Sequence, residues 1–261
     1  MIRSLRAGLL GGALALGLAV TAAQAHSPYL LPSVFDASDR KLITVEGAFT
    51  ESFFTPEVVM KSDAYAVIGP DGARTALSPT YLRQLAVFEV ATEAPGTYRI
   101  TTGQRAGRVA KAALVDGEWK FFEGEKAPAD AIDMQSLTTA EVYVTRGAPS
   151  DAALAPSGKG LEFRPITHPS KIVTGRPVMF EALFDGKPLA GLTVTLSAAD
   201  DRYADAKSPP KILVSDAKGQ VAFKVERSGV YQIQARHRVA SAGQGRPGQS
   251  HTYALTFESL P

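Results

Sequence analysis

From Leu42 to Phe257 the chain is a succession of short β-branched and aromatic runs closed by Gly, Pro or Asp, and no stretch sustains the periodicity of an amphipathic helix. Such a chain has few ways to bury its apolar side chains other than by stacking sheets. The runs at 42–45, 58–60, 64–68, 87–90, 98–101, 109–115, 119–122 and 142–145 make up a first set. A second set follows at 161–163, 178–184, 192–197, 212–214, 220–225, 230–236 and 251–257. About seven strands in about 100 residues is the size of one immunoglobulin-like sandwich. Between the sets, residues 147–160 read GAPSDAALAPSGKG, with small residues, Gly and Pro and almost no large apolar side chain. The expectation is an all-β chain of two immunoglobulin-like β-sandwich domains in tandem, residues 26–146 and 161–261, joined by a linker at 147–160.

The two halves echo each other. Asp71-Gly72 precedes Gly96-Thr97-Tyr98-Arg99-Ile100, and Lys218-Gly219 precedes Gly229-Val230-Tyr231-Gln232-Ile233. A Gly-x-Tyr-x-Ile strand start after a hairpin is where a sandwich strand crosses between sheets and a tyrosine hydroxyl ties the corner.

The first 25 residues read as an export leader. Arg3 and Arg6 precede an uncharged apolar run from Ala7 to Val20, and Ala23-Gln24-Ala25 supplies a small-residue cleavage pattern. The run falls short of the roughly 20 residues a membrane-spanning helix needs. The reading is therefore a protein exported to the periplasm, with His26 as its mature N-terminus. Without Arg3 and Arg6 the chain balances at 26 basic and 26 acidic residues, a poor footing for nucleic-acid binding. Zero cysteines exclude disulfides, thiolate metal sites and cysteine nucleophiles.

Catalytic motifs are absent: there is no G-x-S-x-G, no H-E-x-x-H and no phosphate-binding loop. The Gly-rich 243–248 segment lies between two strand runs and reads as a hairpin loop, and the acidic 200–205 segment lacks calcium-loop spacing. The chain reads as non-catalytic. The four histidines are the informative residues. His237 continues the alternation Tyr231, Ile233, Ala235, and His251 opens the alternation Tyr253, Leu255, Phe257, so both extend core-facing stripes. With 238–250 as the intervening loop, the two imidazoles meet at one end of the second sandwich, an arrangement suited to a divalent transition metal. The same pattern also suits rings hydrogen-bonded at a core rim, to backbone or to Tyr253. His26, bearing amine and imidazole on one residue, offers a chelate suited to copper or nickel, while Pro28 removes an amide that a backbone-chelated site would need. His168, before Pro169, is a fourth candidate ligand with the look of a domain-junction residue.

Several segments carry a resemblance to the bacterial DUF4198 family: His26-Ser-Pro-Tyr-Leu-Leu-Pro32, Leu161-Glu-Phe-Arg-Pro-Ile-Thr-His-Pro-Ser170, Phe184-Asp-Gly-Lys-Pro-Leu-Ala-Gly191, Gly229-Val-Tyr-Gln-Ile233 leading to His237, and His251-Thr-Tyr-Ala-Leu-Thr-Phe257. All four histidines fall within these segments or at their ends. The Asp-Gly-Lys-Pro-Leu-Ala-Gly element also resembles Cna-B-type sandwiches. The resemblance implies a periplasmic accessory protein of nickel or cobalt uptake, with copper as a further candidate ion. Its implied partners are the metal ion and a membrane metal transporter or TonB-dependent receptor. A second reading is a structural or adaptor module that presents sandwich surfaces to an outer-membrane receptor or to carbohydrate. A third, a copper-dependent oxidative enzyme built on His26, lacks an aromatic substrate platform, since Trp119 is the only tryptophan.

Overall fold

The computed structural model describes residues 27–51, 54–122, 127–203, 210–241 and 246–261. Leader residues 1–25, His26 and the centre of the Gly-rich loop at 242–245 lie outside the described residues. In the first half the strands are β1 (Ser27–Pro32), β2 (Leu42–Thr50), β3 (Val58–Val59), β4 (Ala66–Ile68), β5 (Arg74–Ala76), β6 (Thr80–Tyr81), β7 (Ala86–Ala91), β8 (Gly96–Thr101), β9 (Arg105–Val115), β10 (Glu118–Phe122) and β11 (Ile132–Arg146). In the second half they are β12 (Leu161–Pro165), β13 (Val178–Phe184), β14 (Lys187–Pro188), β15 (Thr193–Ala198), β16 (Lys211–Val214), β17 (Gln220–Phe223), β18 (Gly229–Val239) and β19 (Gly248–Ser259). Helix among the described residues is limited to short 3-10 turns.

The protein is all-β, with two sandwich cores. In the first, the β1-β2-β7-β6 sheet packs Leu30, Ile43, Val45, Phe88 and Val90 against Val67, Tyr98, Ile100, Val142 and Val144 of the facing sheet. In the second, β12-β13-β14 with β17 packs Phe163, Phe180, Val221 and Phe223 against Val194, Leu196, Ile233, Leu255 and Phe257. The alternation of period two is visible in β7, whose residues Ala86 to Ala91 run buried, half-buried, buried, exposed, buried, exposed.

One sheet belongs to both cores. Its order is β16-β15-β18-β19-β11-β8-β4-β5, and the step from one half to the other is a parallel ladder from Met134↔Gly248 to Val142↔Thr256. β11 can serve both halves because it is 15 residues long and alternates: Ala140, Val142 and Val144 enter the first core, and Tyr143 enters the second. The segment read from composition as a linker is folded. Its Ala153 and Leu154 are buried in a 3-10 turn, Ser150 bonds Thr97 on β8, and the Ser157 and Gly158 amides donate to the Glu162 carboxylate at 2.7 and 2.8 Å. Small residues here fit a tight path over a sheet rather than a free tether.

The echo between the halves is a pair of tyrosine corners. Tyr98 donates to the Ala94 carbonyl and Tyr231 to the Arg227 carbonyl, both at 2.7 Å and both four residues back. The glycines two residues before them, Gly96 and Gly229, take φ +131° and +142°, backbone that a side chain resists. Tyr98→Phe and Tyr231→Phe should each cost about 1 kcal/mol, the net worth of one hydrogen bond. Urea unfolding checks this, and effects of different size at the two sites would argue against a shared structural role.

Candidate functional site

His237 and His251 face each other as direct partners in the β18–β19 ladder. Their stripe passes into the second core through Ala235 and Tyr253, so the pair sits at the rim where that core ends. Phe184, the last residue of β13 on the opposing sheet, packs edge-on against both rings, with centroids 4.6 Å from His237 and 5.0 Å from His251. The aromatic ring screens one side of the pair from water.

His251 is only 5% exposed. Its Nε2 lies 3.1 Å from the Gln249 carboxamide oxygen. An acceptor at that distance makes Nε2 the N–H donor and leaves the lone pair on Nδ1. That Nδ1 is buried and has no hydrogen-bond partner. A buried acceptor left unpaired costs about 1–3 kcal/mol, so an unspent lone pair here calls for an explanation. Beside it, Gly160 at φ +64° gives up the space of a Cβ, which would stand 3.2 Å from His251 Nδ1 and 2.6 Å from Gln104 Nε2. Asp185, in the turn after β13, accepts the Gly160 amide at 2.8 Å. Its negative charge partly opposes the effect of burial on His251.

Burial holds the pKa of both imidazoles below the ordinary 6.5, and in His251 the His237 ring adds to the lowering. Both rings are therefore neutral at neutral pH, the form that offers lone pairs. His168 is lowered by burial as well. Because the unfolded chain binds these protons more readily, their contribution to stability is complete above pH 6.5 and is lost as pH falls towards and through the lowered folded values. Melting temperature should fall on acidification from about pH 7.5 to about pH 5.5, and less steeply in His251→Gln. A flat profile would contradict the burial argument.

His168 lies elsewhere. It caps the 3-10 turn Pro169–Lys171, its Nδ1 accepting from the Ser170 amide at 3.2 Å with the Ser170 hydroxyl at 2.9 Å. Its Nε2 faces Thr97 Oγ1 at 3.1 Å and the Ser150 carbonyl at 3.4 Å. Both ring nitrogens are thus committed to the protein, and the residue ties β8, the 147–160 segment and the second sandwich together. In this arrangement its ring nitrogens are engaged within the protein, away from the His237–His251 pair. His26 lies outside the described residues. Pro28, two residues on, gives its carbonyl to Gln232 Nε2 at 2.9 Å. Gln232 points to the face of β18 opposite His237, so the described chain begins on the other side of the sheet from the histidine pair. Among the described residues no group of three or more His, Asp or Glu is placed to hold a metal ion.

The site residues missed in sequence were Gln249, Phe184, Asp185, Gly160 and Gln104. Gln249 had a signal, standing two residues before His251 on the same face of β19. Asp185-Gly186 has the residue types of a turn, but which strand end it meets is a tertiary fact.

Three solved structures show distant likenesses. Trypsin-activated alpha-2-macroglobulin from Escherichia coli matches over 88% of this chain at 14% identity with a TM-score of 0.24, and the chain spans only 15% of that protein's length. The D0-D1 domain of intimin matches over 88% of this chain and 97% of its own at 10% identity and TM-score 0.22. The T6 backbone pilin of serotype M6 Streptococcus pyogenes matches over 88% and 51% at 9% identity and TM-score 0.18. No curated protein matches the sequence. Residues 23–239, from before the first strand to the end of β18, match the family described as "Domain of unknown function (DUF4198)", and the chain belongs to that family.

Proposed function

We propose that this chain binds a divalent transition metal as cargo through the His237–His251 pair and serves as an exported, periplasmic accessory of nickel or cobalt uptake, with copper as the further candidate ion. The observation that carries the reading is the buried, unpartnered Nδ1 of His251, with Nε2 fixed as donor by Gln249 and a second imidazole directly across the ladder. The donor set fits borderline metals, which imidazole nitrogen suits. Two protein nitrogens leave most of the coordination shell open, which favours an ion that is held and passed on over one locked into a structural site. The receiver is a membrane metal transporter or a TonB-dependent receptor. His26 joins the site only if the chain before Ser27 reaches round the sheet. The leader pattern supports export. Among the described residues no helix is long and apolar enough to cross a membrane.

The adaptor reading also has an observation in its favour. β16 is an edge strand with Ile212 and Val214 59% and 61% exposed, open to pairing with a strand from another protein. The experiment that separates the two readings is titration of the mature protein, its N-terminus fixed by mass spectrometry, with nickel, cobalt, copper and zinc. The expected result is one ion per chain with Kd well below millimolar. Binding no tighter than millimolar for every ion overturns the metal reading.

A further inference from the structure

A cleft of about 260 Å³ opens where the two sandwiches meet, at the far end of β19 from the histidine pair. Its wall residues Phe257 and Glu258 lie six and seven positions beyond His251, roughly 20–23 Å along a strand at about 3.3 Å per residue. Three parts of the chain build it. Phe35 and Asp36 come from the β1–β2 connection, which the Asp36↔Thr145 bridge fastens to β11. Gly147 and Pro149 come from the joining segment, and Pro169, Ser170 and Lys171 from the turn that His168 caps. Junctions between sandwiches are where small-molecule sites concentrate, and apolar walls carrying a few polar groups are their usual make-up.

The charges on the wall select the ligand. Phe35, Tyr143, Pro149, Pro169, Phe257 and Leu260 supply the apolar surface, and the charged groups are two carboxylates, Asp36 and Glu258, and one ammonium, Lys171. Among the described residues neither Glu258 nor Lys171 is in an ion pair. Asp36 receives the Ser38 amide and hydroxyl on Oδ1 alone. Partial burial and the nearby Asp36 charge raise the pKa of Glu258, a strain that a bound cation relieves. A neutral apolar molecule leaves these charges unanswered. A plain organic amine answers the carboxylates but meets Lys171. A zwitterion with an apolar side chain answers all three, and the volume, just below the usual range for drug-sized ligands, suits one small monomer.

We infer that the cleft between the sandwiches binds a free apolar α-amino acid, its ammonium between Asp36 and Glu258, its carboxylate at Lys171 and its side chain against Phe35 and Leu260.

The test is calorimetric titration of metal-free full-length mature protein with L-phenylalanine and L-leucine, compared with glycine, phenethylamine and N-acetyl-L-phenylalanine. The expected result is binding of the two apolar amino acids with Kd below about 1 mM, and at least about tenfold weaker binding of the other three. Glu258→Gln and Lys171→Met should each weaken L-phenylalanine binding by about tenfold or more without lowering the melting temperature, since Glu258 is half-buried and Lys171 exposed. His237→Ala should bind as wild type, which separates this site from the metal reading. Absence of binding by both amino acids overturns the inference. Phenethylamine binding as tightly as L-phenylalanine, with no effect of Lys171→Met, overturns the zwitterion assignment.

Discussion

Replacing His251 with Ala is expected to lower transition-metal affinity by about 100-fold or more, because loss of a ligand costs at least what loss of its supporting hydrogen bond does. His237→Ala should act alike, since its ring stands directly across the ladder. The informative variant is Gln249→Leu. It keeps both imidazoles but removes the acceptor that holds the His251 proton on Nε2, so Nδ1 is no longer fixed as the lone-pair nitrogen. A loss of about tenfold is expected, in the range for supporting shells of metal ligands. Circular dichroism and melting temperature of each variant guard against unfolding, and a small loss of fold is expected because the pair lies at the rim of the core rather than its centre. If His251→Ala and His237→Ala titrate like wild type, the buried Nδ1 is a tolerated defect and not a ligand.

The histidine pair was legible in the sequence because it depends on one rule. Alternation in Tyr231–His237 and His251–Phe257 fixes which face each ring takes, and an antiparallel hairpin brings the ends of such stripes together. The tyrosine corners were legible for a similar reason: Gly-x-Tyr is a local geometry that needs no distant partner. The β11–β19 pairing was not. It joins Met134 to Gly248 across more than a hundred residues in parallel register, and nothing in either strand names the other. Short strands such as β5, β6 and β14 also escaped, since two or three exposed residues carry no pattern. For residues 147–160 the composition left the path open, because Gly and Pro mark both free linkers and tight surface turns; the partners of Ser150, Ser157 and Gly158 show the path taken. His168 divides along the same line: its place at the junction followed from Pro169, but its commitment to Thr97, Ser150 and Ser170 depends on contacts from two other segments.

The largest effect on stability is expected at the seam between the halves. Arg99 on β8 and Glu141 on β11 are 8% and 7% exposed, in a nearly dry environment for two charges. Burial works against the Arg99 charge, but Glu141 and the hydroxyls of Tyr143 and Tyr253 outweigh it, and the guanidinium pKa is raised overall. Tyr253, from the second half, donates to Glu141 Oε2 at 2.5 Å, so the network spans the parallel ladder that joins the sandwiches. Glu141→Ala removes the charge that supports Arg99 and the acceptor of the buried Tyr253 hydroxyl, a loss of about 1–3 kcal/mol on the scale of a buried polar group left unpaired. The double variant Arg99→Leu/Glu141→Leu removes both buried charges and should recover part of that loss, because neither charge is then left without the other's influence. A double-mutant cycle in urea measures the coupling. Calorimetry tests the seam itself. Wild type should unfold in one transition with equal calorimetric and van't Hoff enthalpies, since neither half keeps its shared sheet without the other. Glu141→Ala should lower and broaden that transition. Two well-separated transitions in the wild type would mean that the ladder and its buried charges do not couple the sandwiches, and that each core stands by itself.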